Sequence, residues 1–215
     1  MNKINYFKIY ESIKDSDAIV VGAGAGMSTS AGFTYGGERF ERLFPEYIKN
    51  YGMEDMYSGG FYPFKTQEEK WAYWSKHIYY NEKQVREMVK EQKQCKIPSN
   101  LVPKCPVCSG HMEVNLRCDS YFVEDENWYA SYDRYKDFLE KNINKNIVFI
   151  ELGIGMNTPS IIKYPFWKMT SSFPKAKYIC INLNEVYAPP EIESQSICID
   201  KDISTVLQKI KNMEV

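Results

Sequence analysis

Three glycines at alternate positions, Gly22, Gly24 and Gly26, follow a β-branched run (Ile19, Val20, Val21) and precede a small-residue stretch from Ser28 to Gly32. The apolar run reads as a buried parallel strand. Glycine lets the backbone after it turn sharply and approach a ligand closely, because no Cβ intervenes. Small residues then suit the opening of a helix, whose first N–H groups and positive dipole end attract an anion. Gly24, Ala25, Gly26 and Ser28 are therefore expected to cradle a diphosphate, and nucleotides are the usual owners of one. The competing reading is a tight strand-to-helix turn that binds nothing.

Two other phosphate-binding patterns are excluded. A P-loop needs Lys followed by Ser or Thr after its second glycine, and no lysine lies between Lys14 and Lys49. The dehydrogenase fingerprint G-x-G-x-x-G fails from Gly22, where the third position is Met27, and from Gly24, where it is Thr29. It also expects a second strand ending in an acidic residue, whereas Phe33 to Phe44 has no period-two alternation.

More chemistry stands at the ends of later apolar runs. Ile147–Leu152 leads into Gly153, Ile154, Gly155, Met156, Asn157, Thr158 and Pro159, a second glycine turn with amide and hydroxyl groups. The run from Tyr178 ends at Asn182, with Asn184 beyond it, amides suited to ribose hydroxyls; Asp200 and Lys201 close the run from Ser196. Each alone reads as a plain loop. Four such ends on one sheet edge would make a continuous crevice.

Cys105 and Cys108 have zinc-knuckle spacing, since two thiolates three positions apart can share one tetrahedral metal. Cys95 and Cys118 flank the pair with nine residues on either side, which makes a four-cysteine site conceivable. A filled site and an empty or intermolecular one both stay open. Cys180 and Cys198 read as core residues. The two histidines, His77 and His111, fall in no general-base motif and read as structural.

The elements that must position these groups follow from pattern. Tyr6, Ile9, Tyr10 and Ile13 share one helical face, so residues 3 to 14 should be helical. Helices are also expected over 66–93, 125–142 and 202–213, the last capped by Asp202 with Ile203, Val206, Leu207 and Ile210 on one face. Strands are expected at Ala18–Val21, Ile147–Leu152, Tyr178–Asn182 and Ser196–Ile199. Strands alternating with helices imply an α/β fold, a Rossmann-like parallel sheet with helices on both faces and ligands at the carboxyl ends of strands. The 215 residues suit a single domain with a small helical and zinc-knuckle insert at about 33–120, which takes in an aromatic-rich stretch from Tyr35 to Tyr80. A net charge of −1 gives no reason to expect a nucleic-acid partner. No apolar run approaches membrane-spanning length, and the scattered cysteines suit a reducing, cytoplasmic setting.

The segment Gly24-Ala25-Gly26-Met27-Ser28-Thr29-Ser30-Ala31-Gly32-Phe33 resembles the glycine signature of the sirtuins, NAD-dependent protein deacylases and ADP-ribosyltransferases. Gly153-Ile154-Gly155 resembles that family's later glycine turn, and Ile181-Asn182 its Ile-Asn. Thr34 to Phe40, Asp55-Met56-Tyr57, Asn115 to Asp119 with Phe122 to Asp125, and Asn157-Thr158-Pro159 with Tyr164 to Trp167 look like the macrodomain-linked (class M) sirtuins of microbes. The resemblance covers about residues 18–207. It implies transfer of ADP-ribose from NAD to a protein acceptor, in some cases a lipoyl-carrier protein, with an ADP-ribosyl-hydrolysing macrodomain as a further partner.

By the same resemblance, Thr34, Tyr35 and Arg39 join the NAD-binding set, and Arg117, Asp119 and Phe122 lie on the substrate side. The sequence departs from the family in lacking a Thr-x-Asn-x-Asp segment and the catalytic His or Gln. Several tens of residues are missing at a junction near Asn81, so no catalytic residue is assigned. A non-catalytic NAD- or ADP-ribose-binding module is the alternative, and a protein deacylase ranks last.

Overall fold

The computed structural model describes residues 3–82 and 86–213. Along the chain run α1 (Lys3–Lys14), β1 (Ala18–Ala23), α2 (Ala25–Ser30), α3 (Glu38–Leu43), α4 (Pro45–Tyr51), α5 (Met56–Gly59), α6 (Gln67–Glu82), α7 (Arg86–Glu91), α8 (Glu126–Asn142), β2 (Ile147–Leu152), α9 (Lys163–Ser172), β3 (Lys177–Asn182), β4 (Ser196–Asp200) and α10 (Ile203–Lys211). They divide into two compact units, one formed by Met1–Gly32 with Glu124–Val215 and the other by Phe33–Val123.

The first unit is α/β. Its four strands pair in parallel in the order β1-β2-β3-β4, with Ala18 opposite Ile147, Ile150 opposite Ile179 and Cys180 opposite Cys198. Every residue of β2 is buried, because a strand inside a parallel sheet is covered on both faces. Its side chains alternate between two cores. Val148, Ile150 and Leu152 pack with Tyr6 and Ile9 of α1 and with Ile203 and Val206 of α10. Ile147 and Phe149 pack on the other face with Phe166 of α9, Tyr178 and Ile192. Full burial of such side chains contributes roughly 1.5–3 kcal/mol each, which is why short apolar runs suffice to place the strands. Helices thus cover both faces, as the alternation predicts. Coverage is thinnest at the β1 edge, where Ile19 and Val21 stay exposed.

The second unit is helical, and its aromatic residues form its core. Phe40, Phe44, Tyr47 and Tyr73 are buried, with Phe40 and Phe44 stacked at 5.4 Å between ring centroids. The helix expected over 66–93 is described as two, α6 and α7; residues 83–85 between them lie outside the described residues. No described helix is long and apolar enough to cross a membrane.

Candidate functional site

The two glycine turns leave the carboxyl ends of neighbouring strands, β1 and β2, and meet backbone to backbone. A Cβ added at Gly24 would stand 2.7 Å from the Gly153 carbonyl oxygen, and one at Gly26 would stand 2.7 Å from the Gly153 Cα. Gly153 itself has φ +63, a left-handed conformation that favours glycine, and a Cβ there would lie 2.6 Å from the Gly26 Cα. Hydrogen bonds stitch the contact: Gly24 N–H donates to Leu152 O, Gly26 N–H to Gly153 O, and Gly153 N–H to Ile181 O, each at 2.9 Å. Gly22 serves a different neighbour, since its Cβ would collide with Ile162 and Phe166 around α9.

The packing also moves the start of α2. The sequence suggests a helix opening near Ser28, but the helix begins at Ala25 with extended Gly24 as its cap. The Met27 N–H turns back to Gly24 O at 3.1 Å. Three amides of the turn are thereby spent inside the protein. Ala25 and Ser28 are exposed polar-capable positions of this turn, through a main-chain N–H and a hydroxyl. At its far end α2 is latched to α10, where the Ser30 hydroxyl donates to Asp202 Oδ2 at 2.6 Å and accepts from Ser204 N–H at 3.0 Å.

The second turn carries a different charge. Glu185 Oε2 accepts from the Met156 N–H at 3.1 Å, just beside Gly155. Buried Asn182 donates to Ile154 O at 3.1 Å and accepts from Leu183 N–H at 2.9 Å, so its amide braces the turn. Asp200 Oδ1 accepts from the Asn184 N–H at 2.8 Å. Ile154 is buried, while Asn157 is exposed. Two carboxylates here favour neutral, hydroxyl-bearing groups over a phosphate, as at the acidic ribose position of dinucleotide sites. The neutral first turn, by contrast, opens a helix.

The remaining expected site residues belong to the second unit. Arg39 donates through Nη1 to Thr34 O at 2.8 Å and through Nη2 to Tyr80 O at 3.2 Å, and its guanidinium lies 5.4 Å from the Phe33 ring centroid. It ties backbone segments together. Thr34 Oγ1 donates to Gly36 O, and exposed Tyr35 neighbours Tyr57 and His77 at 6.4 and 6.0 Å. Burial first, then the Arg39 charge, lowers the pKa of His77 and favours the neutral ring. Arg117 stacks on Phe122 at 5.4 Å, and Asp119 accepts from Tyr121 N–H at 2.8 Å. Asp119 and Cys118 help line a cleft of about 820 Å³ with Phe61, Tyr62, Leu116 and Tyr121.

Cys105 and Cys108 lie on one tight turn, and among the described residues they assemble no metal site. The Cys105 N–H donates to Gly110 O and the Ser109 N–H to Cys105 O, each at 2.8 Å, and Ser109 takes φ +61 to close the turn. Hydrogen bonds from the Cys108 and Val107 amides, then from the Cys108 thiol, hold the Cys105 thiol below its ordinary pKa. Yet among the described residues no group of three or more His, Cys, Asp or Glu side chains is arranged to hold a metal ion. The four-cysteine arrangement is not formed. Cys95 is buried in the aromatic core beside Asn50 and Glu46, and Cys118 sits exposed beside Asp119. Two thiols fall short of the four ligands that a structural zinc takes, so the donor set does not fit the metal.

Sequence reasoning passed over Glu151 and Lys163. They form an ion pair at 2.6 Å with side chains 0% and 1% exposed. The available signal was a lone carboxylate inside the apolar run Ile-Val-Phe-Ile-Glu-Leu.

No family model matches the chain. It is 30% identical to a protein of Staphylococcus aureus (strain Mu50 / ATCC 700699) named protein ADP-ribosyltransferase, over 263 aligned positions that take in 91% of this chain and 84% of that one. It is also 23% identical to a protein of Fusarium oxysporum f. sp. cubense named probable bifunctional ADP-ribose hydrolase/ADP-ribosyltransferase, over 276 positions covering 92% of this chain and 46% of that one. The chain thus spans about half the length of the fungal relative. Both alignments are longer than the 215-residue chain, so each relative carries several tens of residues within the matched span that have no counterpart here.

Proposed function

The chain belongs to the family of protein ADP-ribosyltransferases, and from that premise we propose that it is a sirtuin-type enzyme of the class M kind, which consumes NAD and transfers ADP-ribose to a protein acceptor. The observation that carries the transferase reading is the 30% identity to a protein of that name across 84% of its length; its sirtuin, class M part rests on the resemblance of the Gly24 to Phe33 segment. The pair of glycine turns at the carboxyl ends of β1 and β2 supports it, because ligands of open α/β sheets gather at that edge. In this reading the Ala25 N–H and Ser28 hydroxyl face the diphosphate, while Gly155, Asn157, Glu185 and Asp200 face ribose hydroxyls.

In the reaction the bond between the nicotinamide nitrogen and the ribose breaks, and the bonding pair leaves with nicotinamide. The acceptor nucleophile then bonds the ribose carbon and gives up its proton. Holding the two partners in line lowers the barrier by making the encounter intramolecular. On the acceptor side the candidates are Arg117, Asp119 and Phe122; a lipoyl-carrier protein is the proposed acceptor, and a macrodomain that removes ADP-ribose the proposed partner.

The shorter matched span favours one second reading, a module that binds NAD or ADP-ribose without cleaving it. Calorimetric titration with NAD and ADP-ribose, run beside a nicotinamide-release assay with and without lipoylated acceptor protein, separates the two. The transferase reading expects binding together with acceptor-dependent release. Binding without release favours the module, and absence of both removes the nucleotide assignment.

A further inference from the structure

Beneath the second glycine turn lies a polar cluster that neither turn uses. Glu151 points from β2 into the core formed by Ile147, Phe149, Phe166 and Tyr178, and both of its oxygens are engaged. Lys163 Nζ donates to Oε1 at 2.6 Å and Cys180 Sγ to the same oxygen at 3.6 Å, while the Tyr178 hydroxyl donates to Oε2 at 2.5 Å. Lys163 also lies 5.8 Å from the Trp167 ring centroid, within reach of a cation–π attraction. Glu151, Lys163, Tyr178 and Cys180 are all within 1% of complete burial.

Such a cluster is a poor way to gain stability. Removing two charges from water costs several kcal/mol per ion, and apolar residues of similar volume are often as stable or more so. Its position suggests another use. Glu151 precedes Gly153 by two residues, and Lys163 is the first residue of α9, so the pair joins the two feet of the loop that carries the second turn. At the top of that loop, the Gly153 backbone is the surface against which Gly24 and Gly26 pack.

We propose that Glu151, Lys163 and Tyr178 are positioning residues that staple the loop from Gly153 to Ile162 at both ends. They fix the height of the second glycine turn against the first, so that the two present one ligand-facing surface. The nucleotide part of this proposal rests on the function proposed above; the staple itself does not.

The test uses the double variant Glu151→Leu/Lys163→Met, which removes both charges together and leaves none buried alone. Hydrogen exchange is read at the Met156 and Tyr164 amides, which bond to Glu185 and to Pro159 within this region. Both are expected to exchange faster by on the order of tenfold, while the denaturation midpoint holds or rises. ADP-ribose affinity is expected to fall by about 10- to 100-fold, the scale on which misplaced binding groups act.

Unchanged exchange in the folded double variant overturns the staple. Should that variant not fold, Tyr178→Phe leaves the ion pair in place and frees only Oε2. It is then expected to speed exchange at the same two amides by a smaller factor, and no acceleration there overturns the proposal. If exchange accelerates while the wild-type protein binds no ADP-ribose, the staple stands and the nucleotide reading falls.

Discussion

Gly26→Ala is expected to destabilise the first unit although alanine is the better helix former. Gly26 sits in α2, where replacing glycine by alanine gains about 1 kcal/mol of helix propensity. The new Cβ, however, would stand 2.7 Å from the Gly153 Cα, 2.8 Å from its carbonyl oxygen and 3.1 Å from its carbonyl carbon. Optimal carbon contacts lie at about 3.5–4.0 Å, so the methyl intrudes by nearly an ångström. The atoms it meets are backbone, held by the Gly26–Gly153 and Gly153–Ile181 hydrogen bonds, and cannot swing aside as a side chain would. Overpacking of this kind costs about 1–3 kcal/mol, and fixed neighbours place it at the upper end. The balance is a net loss of about 2 kcal/mol, roughly a thirtyfold fall in the folded-to-unfolded ratio. Urea denaturation followed by circular dichroism measures it. Gly32→Ala is the control, because Gly32 has nothing within 4 Å and carries only the backbone penalty of φ +86. A Gly26→Ala protein as stable as wild type, or more so, would refute the contact between the turns.

Two further outcomes are expected. The Asp202 carboxyl is held well below the ordinary aspartate value by the Ser30 hydroxyl first, then by the Thr205 amide and the Ser204 hydroxyl. The unfolded chain therefore binds the proton more readily, and the contribution is complete above about pH 4 and lost as the pH falls below it. Asp202→Ala should lower the urea midpoint at pH 7 and approach wild type near pH 2; a gap constant with pH would contradict the linkage. Exhaustive chelation should leave the thermal midpoint unmoved, since Cys105 and Cys108 gather no third ligand among the described residues. A clear drop, with zinc recovered in the chelate, would show that other groups complete the site.

Legibility in the sequence followed the degree to which one residue's role depends on its neighbours in the chain. β2 is found at the expected residues, and β3 and β4 begin or end within one residue of expectation, because each is a short apolar run bounded by polar turns. α10 follows from Ile203, Val206 and Ile210 and from Asp202, whose side chain accepts from the Thr205 amide. The aromatic stretch was less legible. Seen as composition, Tyr35 to Tyr80 is only an aromatic-rich stretch; that Phe40, Phe44, Tyr47 and Tyr73 fill a core is set by their pairing in space. Arg39 shows the same limit. The resemblance places it in the nucleotide-binding set, and nothing local to it announces that its nitrogens also bond to the Thr34 and Tyr80 carbonyls, the second forty-one residues away. Glu151 was hidden because its partners lie in α9 and β3.

The glycine signature carries the sharper lesson. Spacing at Gly22, Gly24 and Gly26 records that something passes too close for a Cβ, but it does not record what. Here the close bodies are α9 for Gly22 and the Gly153 backbone for Gly24 and Gly26. A substitution such as Gly24→Asp therefore cannot report on a diphosphate alone. It would set a carboxylate against the Gly153 carbonyl oxygen and part the two turns even with no ligand present. In the function proposed above, the nucleotide meets groups other than these packed glycines, among them Ala25 and Ser28 on one side and Asn157, Glu185 and Asp200 on the other. Ser28→Ala is consequently the cleaner probe. Ser28 is exposed, so its loss should weaken ADP-ribose binding by about 0.5–1.5 kcal/mol, the net worth of one hydrogen bond. Stability should stay as it was. Equal affinity in that variant would move the diphosphate away from the first turn, whatever the glycines do.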